Sequence, residues 1–360
     1  MSDDDLVTVM VPARNEEGSI GECLDSILAQ DHKALQVVVV DGGSTDATTQ
    51  IVRERMSADD RVELLETTRA SIPASLNLAV AQARGRWLVR VDAHSTVSTG
   101  YVRACVDRLR EGTWGGVGGR KDGVGKTPAG RAIAAAMGSR FGVGNSVYHY
   151  GTEPQEVDHL PFGAYAVDLV RRVGGWDERL VANEDYEFDY RLRQAGMRLL
   201  FDPAMRIDWQ CRQSVPDLFR QYRRYGRGKF DVARLHPDSL GVRHLAPPAL
   251  VGYVAVAALL NAGRPVRLAV LVSPYVAAVL AASIKTARKL DKTGDKMLVP
   301  AAFAAMHVGW GLGFWAGAGR LLVRGRRGSS NDSFVGDHHA AVVEVVSASL
   351  EDRDSPGSNA

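Results

Sequence analysis

Short apolar runs and helical patterns alternate over the first 90 residues, and this alternation limits the possible fold more than any other feature. We predict strands at 6–11, 35–40, 62–65 and 87–91. We predict helices between them at 19–30, 45–56 and 72–84. This order of elements predicts an α/β fold whose sheet is parallel, with right-handed crossovers. Because ligands bind beyond the carboxyl ends of such strands, the residues that follow each run are candidates for a site.

After residue 245 the sequence becomes apolar in three long stretches. We predict membrane helices at about 247–262, 266–284 and 297–323, because apolar helices of this length match a bilayer core roughly 30 Å thick. Five basic residues between Lys285 and Lys296 are typical of a cytoplasmic loop. Three crossings would place the arginines after residue 323 on the opposite side, so an interfacial or re-entrant segment stays an alternative. A buried helical domain is the other alternative.

Charge and length divide the 360-residue chain into three predicted parts. Residues 1–240 form a globular domain, 245–327 the membrane helices, and 328–360 a disordered acidic tail. The net charge of +2 offers no basic field for nucleic acid, so we expect no nucleic-acid partner. The acidic start of the chain runs into an apolar stretch too short for a signal peptide, which predicts a cytosolic N-terminal domain.

The first two predicted strands end in polar loops. Strand one continues into the segment from Pro12 to Glu17, and strand two ends in Asp41-Gly-Gly-Ser-Thr-Asp46. A carboxylate at a strand end, followed by glycines and a helix cap, suits a nucleotide, because Asp41 can accept from a base or ribose while the backbone approaches closely. Ordinary turn chemistry explains the Asp-Gly pair equally well.

Asp92 and His94 follow the fourth predicted strand. Two residues apart after a strand, they point to the same side, which suits a divalent cation that bridges a diphosphate. Taken singly, Asp92 is also typical of a helix cap and His94 of a surface histidine. The pair is therefore a candidate metal site, and the motifs in the neighbouring segments decide whether this interpretation is favoured.

These segments together resemble family 2 glycosyltransferases of the GT-A fold, which is Rossmann-like with a mostly parallel sheet. The resemblance covers about residues 6–230 and includes the later segment Asn183-Glu-Asp185. His94 stands where the family's Asp-x-Asp motif has its final Asp, which leaves the choice between Mn²⁺ and Mg²⁺ open. The segments 92–94, 162–165 and 221–226 look most like the succinoglycan-type glucosyltransferase branch.

The resemblance implies roles for individual residues. Asp185 would be the general base that deprotonates the acceptor hydroxyl, with inversion, and Glu184 would orient the acceptor. An ordinary acidic helix N-terminus is the alternative for this pair. Asp92 and His94 would hold Mn²⁺ or Mg²⁺ beside the leaving diphosphate. The donor nucleotide would be bound by Pro12, Arg14, Asn15, Glu16, Asp41 and Asp92.

Gln221, Arg224 and Tyr225 share one face of a predicted helix. They are similar to the Gln-x-x-Arg-Trp motif of processive polysaccharide synthases, with Tyr225 in place of Trp. The resemblance implies that Arg224 binds the diphosphate and Tyr225 stacks near the acceptor. The alternative is a basic collar that contacts anionic lipid headgroups.

The sequence therefore predicts a metal-dependent, inverting hexosyltransferase in the plasma membrane, multi-pass, with a cytoplasmic catalytic domain. Its donor would be a nucleotide sugar, UDP-linked, and its acceptor a lipid-linked or growing glycan in cell-surface polysaccharide synthesis. One alternative is a processive polysaccharide synthase. The other is a non-catalytic membrane scaffold that binds nucleotide at most.

Overall fold

The computed structural model of the protein describes residues 6–69 and 71–325. A nine-stranded sheet forms its centre. The strands are β1 (Val7–Ala13), β2 (Leu35–Asp41), β3 (Val62–Glu66), β4 (Trp87–Arg90), β5 (Ser95–Val97), β6 (Gly116–Val124), β7 (Gln155–Val157), β8 (Ala164–Ala166) and β9 (Leu199–Gln210). The helices around the sheet are α1 (Ile20–Leu28), α2 (Thr48–Ala58), α3 (Ile72–Gln82), α4 (Tyr101–Arg110), α5 (Pro128–Met137), α6 (Arg140–Val143), α7 (Val167–Val173), α8 (Glu184–Gln194) and α9 (Val215–Leu235).

The sheet is mixed, with the order β3-β2-β1-β4-β8-β6-β9-β5 and β7 paired to β9. β1, β2, β3 and β4 pair in parallel, which confirms the parallel arrangement expected for the first 90 residues. β8 runs antiparallel to both β4 and β6, and β5 and β7 run antiparallel to β9. The second half of the sheet therefore brings β6 and β8 next to the carboxyl end of β4.

Both faces of the parallel strands are covered by helices. Val9 and Val37 belong to one buried cluster that also holds Ile20 of α1, whereas Met10 and Val38 belong to a second cluster on the other face. Strands covered on both faces are expected to be continuously apolar, as the β-branched run of β2 is. The predicted helices are confirmed within a few residues. α2 begins three residues late, because the loop before it is held by hydrogen bonds to Asp41.

Three apolar helices follow: α10 (Val242–Leu260), α11 (Pro265–Ala287) and α12 (Thr293–Gly325). All three are long and apolar enough to cross a membrane, as predicted. They differ in burial, because 44% of the apolar window of α12 is buried but only 17% and 11% of those of α10 and α11. α10 and α11 thus leave most of their apolar side chains exposed, unlike a self-buried helical domain. The tail predicted at 328–360 lies outside the described residues.

Glycines let α12 pack closely along α9. A Cβ added to Gly313 would lie 2.0 Å from the carbonyl oxygen of Arg223, and one added to Gly226 would lie 2.0 Å from that of Trp310. An ion pair adds to the contact with the globular domain, since Arg131 of α5 reaches the buried Asp295 at 2.6 Å. α12 is therefore attached to the α/β domain along much of its length.

We expect Gly313→Ala to destabilise the protein and Gly319→Ala, in the same helix, to stabilise it slightly. Alanine favours a helix over glycine by about 0.5–1 kcal/mol, and a Cβ on Gly319 would meet no atom within 4 Å. At Gly313 the collision with α9 should outweigh this gain by forcing the helices apart, at a cost of about 1–3 kcal/mol. Thermal unfolding in detergent measures both, and equal melting temperatures would contradict the close packing.

Candidate active site

A cavity of about 1130 Å³ opens at the carboxyl ends of β1 and β4. Its walls come from both strand ends, the start of α8, the middle of α9, and the apolar helices α10 and α12. Of the site residues expected from the sequence, the cavity is lined by Pro12, Arg14, Asn15, Glu16, Asp92, His94, Glu184, Asp185, Gln221, Arg224 and Tyr225. The fold thus brings together segments that are more than 200 residues apart in the chain.

Asp41 lies behind the cavity wall rather than on it. It is 3% exposed, and its Oδ2 accepts hydrogen bonds from the backbone N–H groups of Gly43 and Ser44 at 3.0 and 2.9 Å. Asn15, in a left-handed conformation, joins this loop to the end of β1, since its Oδ1 accepts from the Thr45 N–H at 2.8 Å. Both side chains shape the loop. A direct contact of Asp41 with the nucleobase or ribose of the donor stays a prediction.

Arg90 is a buried cation between two acidic parts of the site. Its Nε donates to Asp92 Oδ1 at 2.9 Å, and its Nη1 lies 3.6 Å from Glu184 Oε1 without a hydrogen bond. Burial acts against the charge, but Asp92, Glu184 and Asp185 outweigh it and raise the pKa of Arg90. The guanidinium is therefore charged and orients Asp92 at the end of β4.

Lys121 of β6 supplies a second buried cation to the cavity. Its Nζ lies 3.7 Å from the ring centroid of Trp209 and 4.6 Å from that of Phe162. Burial lowers the pKa of Lys121 to about 8, although the negative charges of Asp92 and Asp185 partly oppose this. Within the described part of the chain no carboxylate lies at ion-pair distance from this ammonium, which leaves its N–H groups for an anionic ligand.

The first turn of α8 presents two adjacent carboxyl groups whose surroundings differ. Glu184 is 5% exposed, and burial together with the neighbouring charge of Asp185 raises the pKa of Glu184. Burial would also raise the pKa of Asp185, but the positive charges of His159 and Arg90 outweigh it and lower this pKa. Environments that separate the pKa values of two acids assign them different roles, and Asp185, which is held in its ionised form, is available to accept a proton.

Asp92 and His94 form a donor set of one carboxylate and one imidazole. Glu16 Oε1 lies 3.1 Å from His94 Nδ1, which leaves the other ring nitrogen, Nε2, for a ligand and orients the ring as carboxylates orient metal-binding histidines. The described residues contain no group of three or more His, Cys, Asp or Glu that could hold an ion by themselves. The pair therefore fits a cation that takes its other ligands from substrate phosphates and water.

Gln221, Arg224 and Tyr225 of α9 line the same cavity as the acidic pair of α8. Gln221 Nε2 donates to Tyr225 Oη at 3.0 Å, and the Tyr225 carbonyl accepts from Asn183 Nδ2 at 2.9 Å. These bonds connect α9 to the residue just before Glu184. Arg224 is exposed at the cavity edge, and in the described ranges it has no ion pair, so its guanidinium can reach a phosphate.

Three residues that the sequence motifs do not include also line the cavity: Arg90, Lys121 and His159. A signal existed for Arg90, because an arginine interrupts the apolar run of β4. Lys121 and His159 lie in segments with no recognisable pattern. Only the pairing of β8 with β4 and β6 brings them beside Asp92 and Asp185.

Comparisons with known proteins agree with this geometry. A model of the family "Glycosyl transferase family 2" matches residues 8–171. The chain is 32% identical over 326 residues to the succinoglycan biosynthesis protein ExoA of Rhizobium meliloti (strain 1021), across 88% of this chain and 97% of that protein. It is 21% identical over 234 residues to a dolichyl N-acetyl-alpha-D-glucosaminyl phosphate 3-beta-D-2,3-diacetamido-2,3-dideoxy-beta-D-glucuronosyltransferase of Methanococcus voltae, across 62% of this chain and 73% of that protein.

The chain belongs to glycosyltransferase family 2, near the succinoglycan-biosynthesis branch. Among solved structures, the mannosyltransferase PcManGT from Pyrobaculum calidifontis, in complex with GDP-Man and Mn²⁺, has the same fold. The TM-score is 0.50 at 21% identity, over 97% of this chain and 88% of that one. The expected GT-A fold is thereby confirmed, and family membership supports a hexosyltransferase that acts in polysaccharide synthesis.

We expect Lys121→Met to weaken UDP binding about tenfold or more, because a charge-assisted hydrogen bond is worth about 1.5–3 kcal/mol. Methionine has a similar length and can pack between Trp209 and Phe162 without a buried charge. The exposed Lys126, mutated to Met, is the matched control. Calorimetric titration with UDP measures both affinities, and equal affinities would show that Lys121 does not contact the nucleotide.

Proposed function

We propose that this protein is a membrane-anchored, inverting glycosyltransferase that moves a hexose from a nucleotide sugar to a lipid-linked or growing glycan on the cytosolic side. One observation carries the proposal: a single cavity contains the strand-end residues 12–16 and 92–94, the acidic pair 184–185, and apolar side chains of α10 and α12. The first set suits a nucleoside diphosphate, the second a proton transfer, and the third a lipid.

The transfer is a single displacement with Asp185 as general base. The ionised Asp185 takes the proton of the acceptor hydroxyl while that oxygen bonds to C1 of the hexose. The bond from C1 to the diphosphate oxygen breaks, and its electron pair leaves with the nucleoside diphosphate. Attack from the face opposite the leaving group inverts the configuration at C1. Glu184, nearer to neutrality, is suited to hydrogen-bond the acceptor or the sugar.

Positive charge around the leaving group favours bond cleavage. A Mn²⁺ or Mg²⁺ ion, when bound at Asp92 and His94, would supply charge to the diphosphate. Lys121 and Arg224 are two cationic side chains of the cavity wall that can donate to phosphate oxygens, the first buried and the second at the cavity edge. Arg90 keeps Asp92 in place, because its Nε is already bonded to that carboxylate.

The apolar side of the cavity supports a lipid-linked acceptor. Leu250 of α10 and Met306 and Trp310 of α12 line it beside the polar residues. An acceptor whose lipid follows these helices would present its sugar to Asp185 without leaving the membrane surface. The expected UDP rests on the resemblance of the loop 41–46, and a screen of UDP- and GDP-hexoses with each metal tests it.

A hairpin of α10 and α11 is the proposed membrane anchor, with α12 held at the cytosolic surface. The burial of α12 against α9 and its ion pair to Arg131 support this arrangement. It also eases the conflict with the positive-inside rule, because Arg324 at the end of α12 then shares the side of the Lys285–Lys296 loop. The catalytic domain lies on that cytoplasmic side.

We expect Asp185→Asn to lower kcat by at least a hundredfold, because the amide cannot accept the proton. Asp92→Ala should instead weaken donor and metal binding as well as transfer. Asp168→Asn, at an exposed position of α7, is the control and should transfer normally. Mass spectrometry of product formed from labelled nucleotide sugars measures transfer and shows single additions or polymer. Full activity of Asp185→Asn would exclude it as the base.

Cysteine labelling in intact cells tests the topology. The three native cysteines are buried, so they should not react. We expect Ala262→Cys, between α10 and α11, to react with an impermeant maleimide from outside. Asp291→Cys and Arg320→Cys, the latter at an exposed position near the end of α12, should react only after the membrane is opened. Labelling of Arg320→Cys from outside would show that α12 crosses the membrane.

A further inference from the structure

His159 and two aspartates form a series of side chains beside the acidic pair. His159 Nδ1 lies 2.8 Å from Asp189 Oδ2, and on the other side of the ring Nε2 lies 3.9 Å from Asp185 Oδ2. The first distance is a hydrogen bond and the second is an ion-pair contact. The proposed catalytic base therefore faces an imidazole whose far nitrogen is bonded to another carboxylate.

Asp189 is fixed more firmly than any other acid of the series. It is 0% exposed, and in addition to His159 its oxygens accept from the Leu160 N–H at 2.7 Å and the Tyr165 hydroxyl at 2.9 Å. A carboxylate with three hydrogen-bond donors cannot rotate without breaking buried bonds. It therefore determines the orientation of the His159 ring, and Nδ1 must carry a proton to donate to it.

We propose that His159, anchored by Asp189, is a positioning residue that holds the Asp185 carboxylate in place and in its anionic form. The inference rests on the proposed function, in which Asp185 is the base. It differs from that proposal by assigning a role to two residues, His159 and Asp189, that act through Asp185 and belong to no family motif in this sequence.

The groups around His159 favour its charged form. Burial alone would lower the pKa of His159, but Asp185, Asp189 and Asp158 outweigh it and raise this pKa. The other titratable groups that face the ring are uncharged or distant: Tyr148, His149, Tyr186 and His244. Because burial lowers the pKa of His149 to about 3, this neighbour is neutral at pH 7 and does not compete as the cation beside Asp185.

The same arrangement explains why His159 is not itself the base. Its Nδ1–H is committed to Asp189, and a protonated ring cannot accept another proton at Nε2. Asp185, in contrast, keeps an oxygen available, since one oxygen accepts from the Tyr186 N–H at 2.8 Å and the other faces His159 and the cavity. The imidazolium thus favours the carboxylate form without taking its proton-accepting role.

The test is the acid limb of kcat against pH for His159→Gln in the full-length protein. As pH falls through the pKa of Asp185, the base is protonated and transfer stops. An opposite charge at this distance lowers a carboxyl pKa by about one unit or more, so its removal should move the acid limb up by about one pH unit. Activity of the variant should recover as pH rises. His149→Gln is the matched control and should leave the limb unmoved.

The single variant leaves the buried charge of Asp189 without its partner, which could destabilise the fold. The double variant His159→Gln, Asp189→Asn controls for this, because it removes both buried charges together. Its acid limb should move in the same direction as that of His159→Gln. An acid limb that stays in place in an active, folded His159→Gln protein would overturn the inference. A wild-type protein that transfers no hexose from any nucleotide sugar would instead overturn the proposed function.

A second readout does not require activity. We expect Asp185→Asn at pH 6 to lower the melting temperature of the wild-type protein more than it lowers the melting temperature of the His159→Gln variant. The ion pair stabilises the fold between the pKa of Asp185 and that of His159, so this difference should be smaller at pH 9, because the charged fraction of the imidazole falls as pH rises through the pKa of His159. A difference that is absent at pH 6, or equal at both pH values, would overturn the proposed pairing.

Discussion

A buried arginine connects the two acidic parts of the candidate active site, and the arrangement of the carboxylates there depends on it. Arg90 bonds to Asp92 at the end of β4 and lies next to Glu184 at the start of α8. A guanidinium stays charged even when buried, so a cation always separates these carboxylates. Without it, acids from two elements would repel each other at low dielectric, and the strand end and the helix start would not keep their distance.

The helix α8 shows how surroundings divide the work among similar groups. It carries Glu184, Asp185 and Asp189 within two turns. Burial beside another acid favours the neutral form of Glu184, the cations His159 and Arg90 favour the anion of Asp185, and hydrogen bonds fix Asp189. In the proposed mechanism one short helix would thus supply a proton acceptor, a neighbour that is nearer to neutrality, and an anchor. The difference lies in the elements packed around it, not in the residue types.

Two of the apolar C-terminal helices, α10 and α12, line the candidate site, and α10, α11 and α12 are all long and apolar enough to cross a membrane. α12 packs along α9 through glycines, and α9 in turn is bonded to Asn183, just before the acidic pair. Movement of these helices would therefore reach Glu184 and Asp185 through α9. A glycosyltransferase that takes a lipid-linked acceptor would gain from this connection, because the acceptor's lipid and the base would be positioned by the same helices.

The sequence by itself determined β1 to β4, the three apolar helices and the motif residues of the cavity wall, because these follow from local periodicity and from recognisable motifs. Only the tertiary structure decided the second half of the sheet, where short strands and glycine-rich segments such as Gly116–Val124 carry little periodic signal. It also decided that Asp41 shapes its own loop, and that Lys121 and His159 reach the site. Their positions depend on strand order and burial, which are properties of contacts between distant segments.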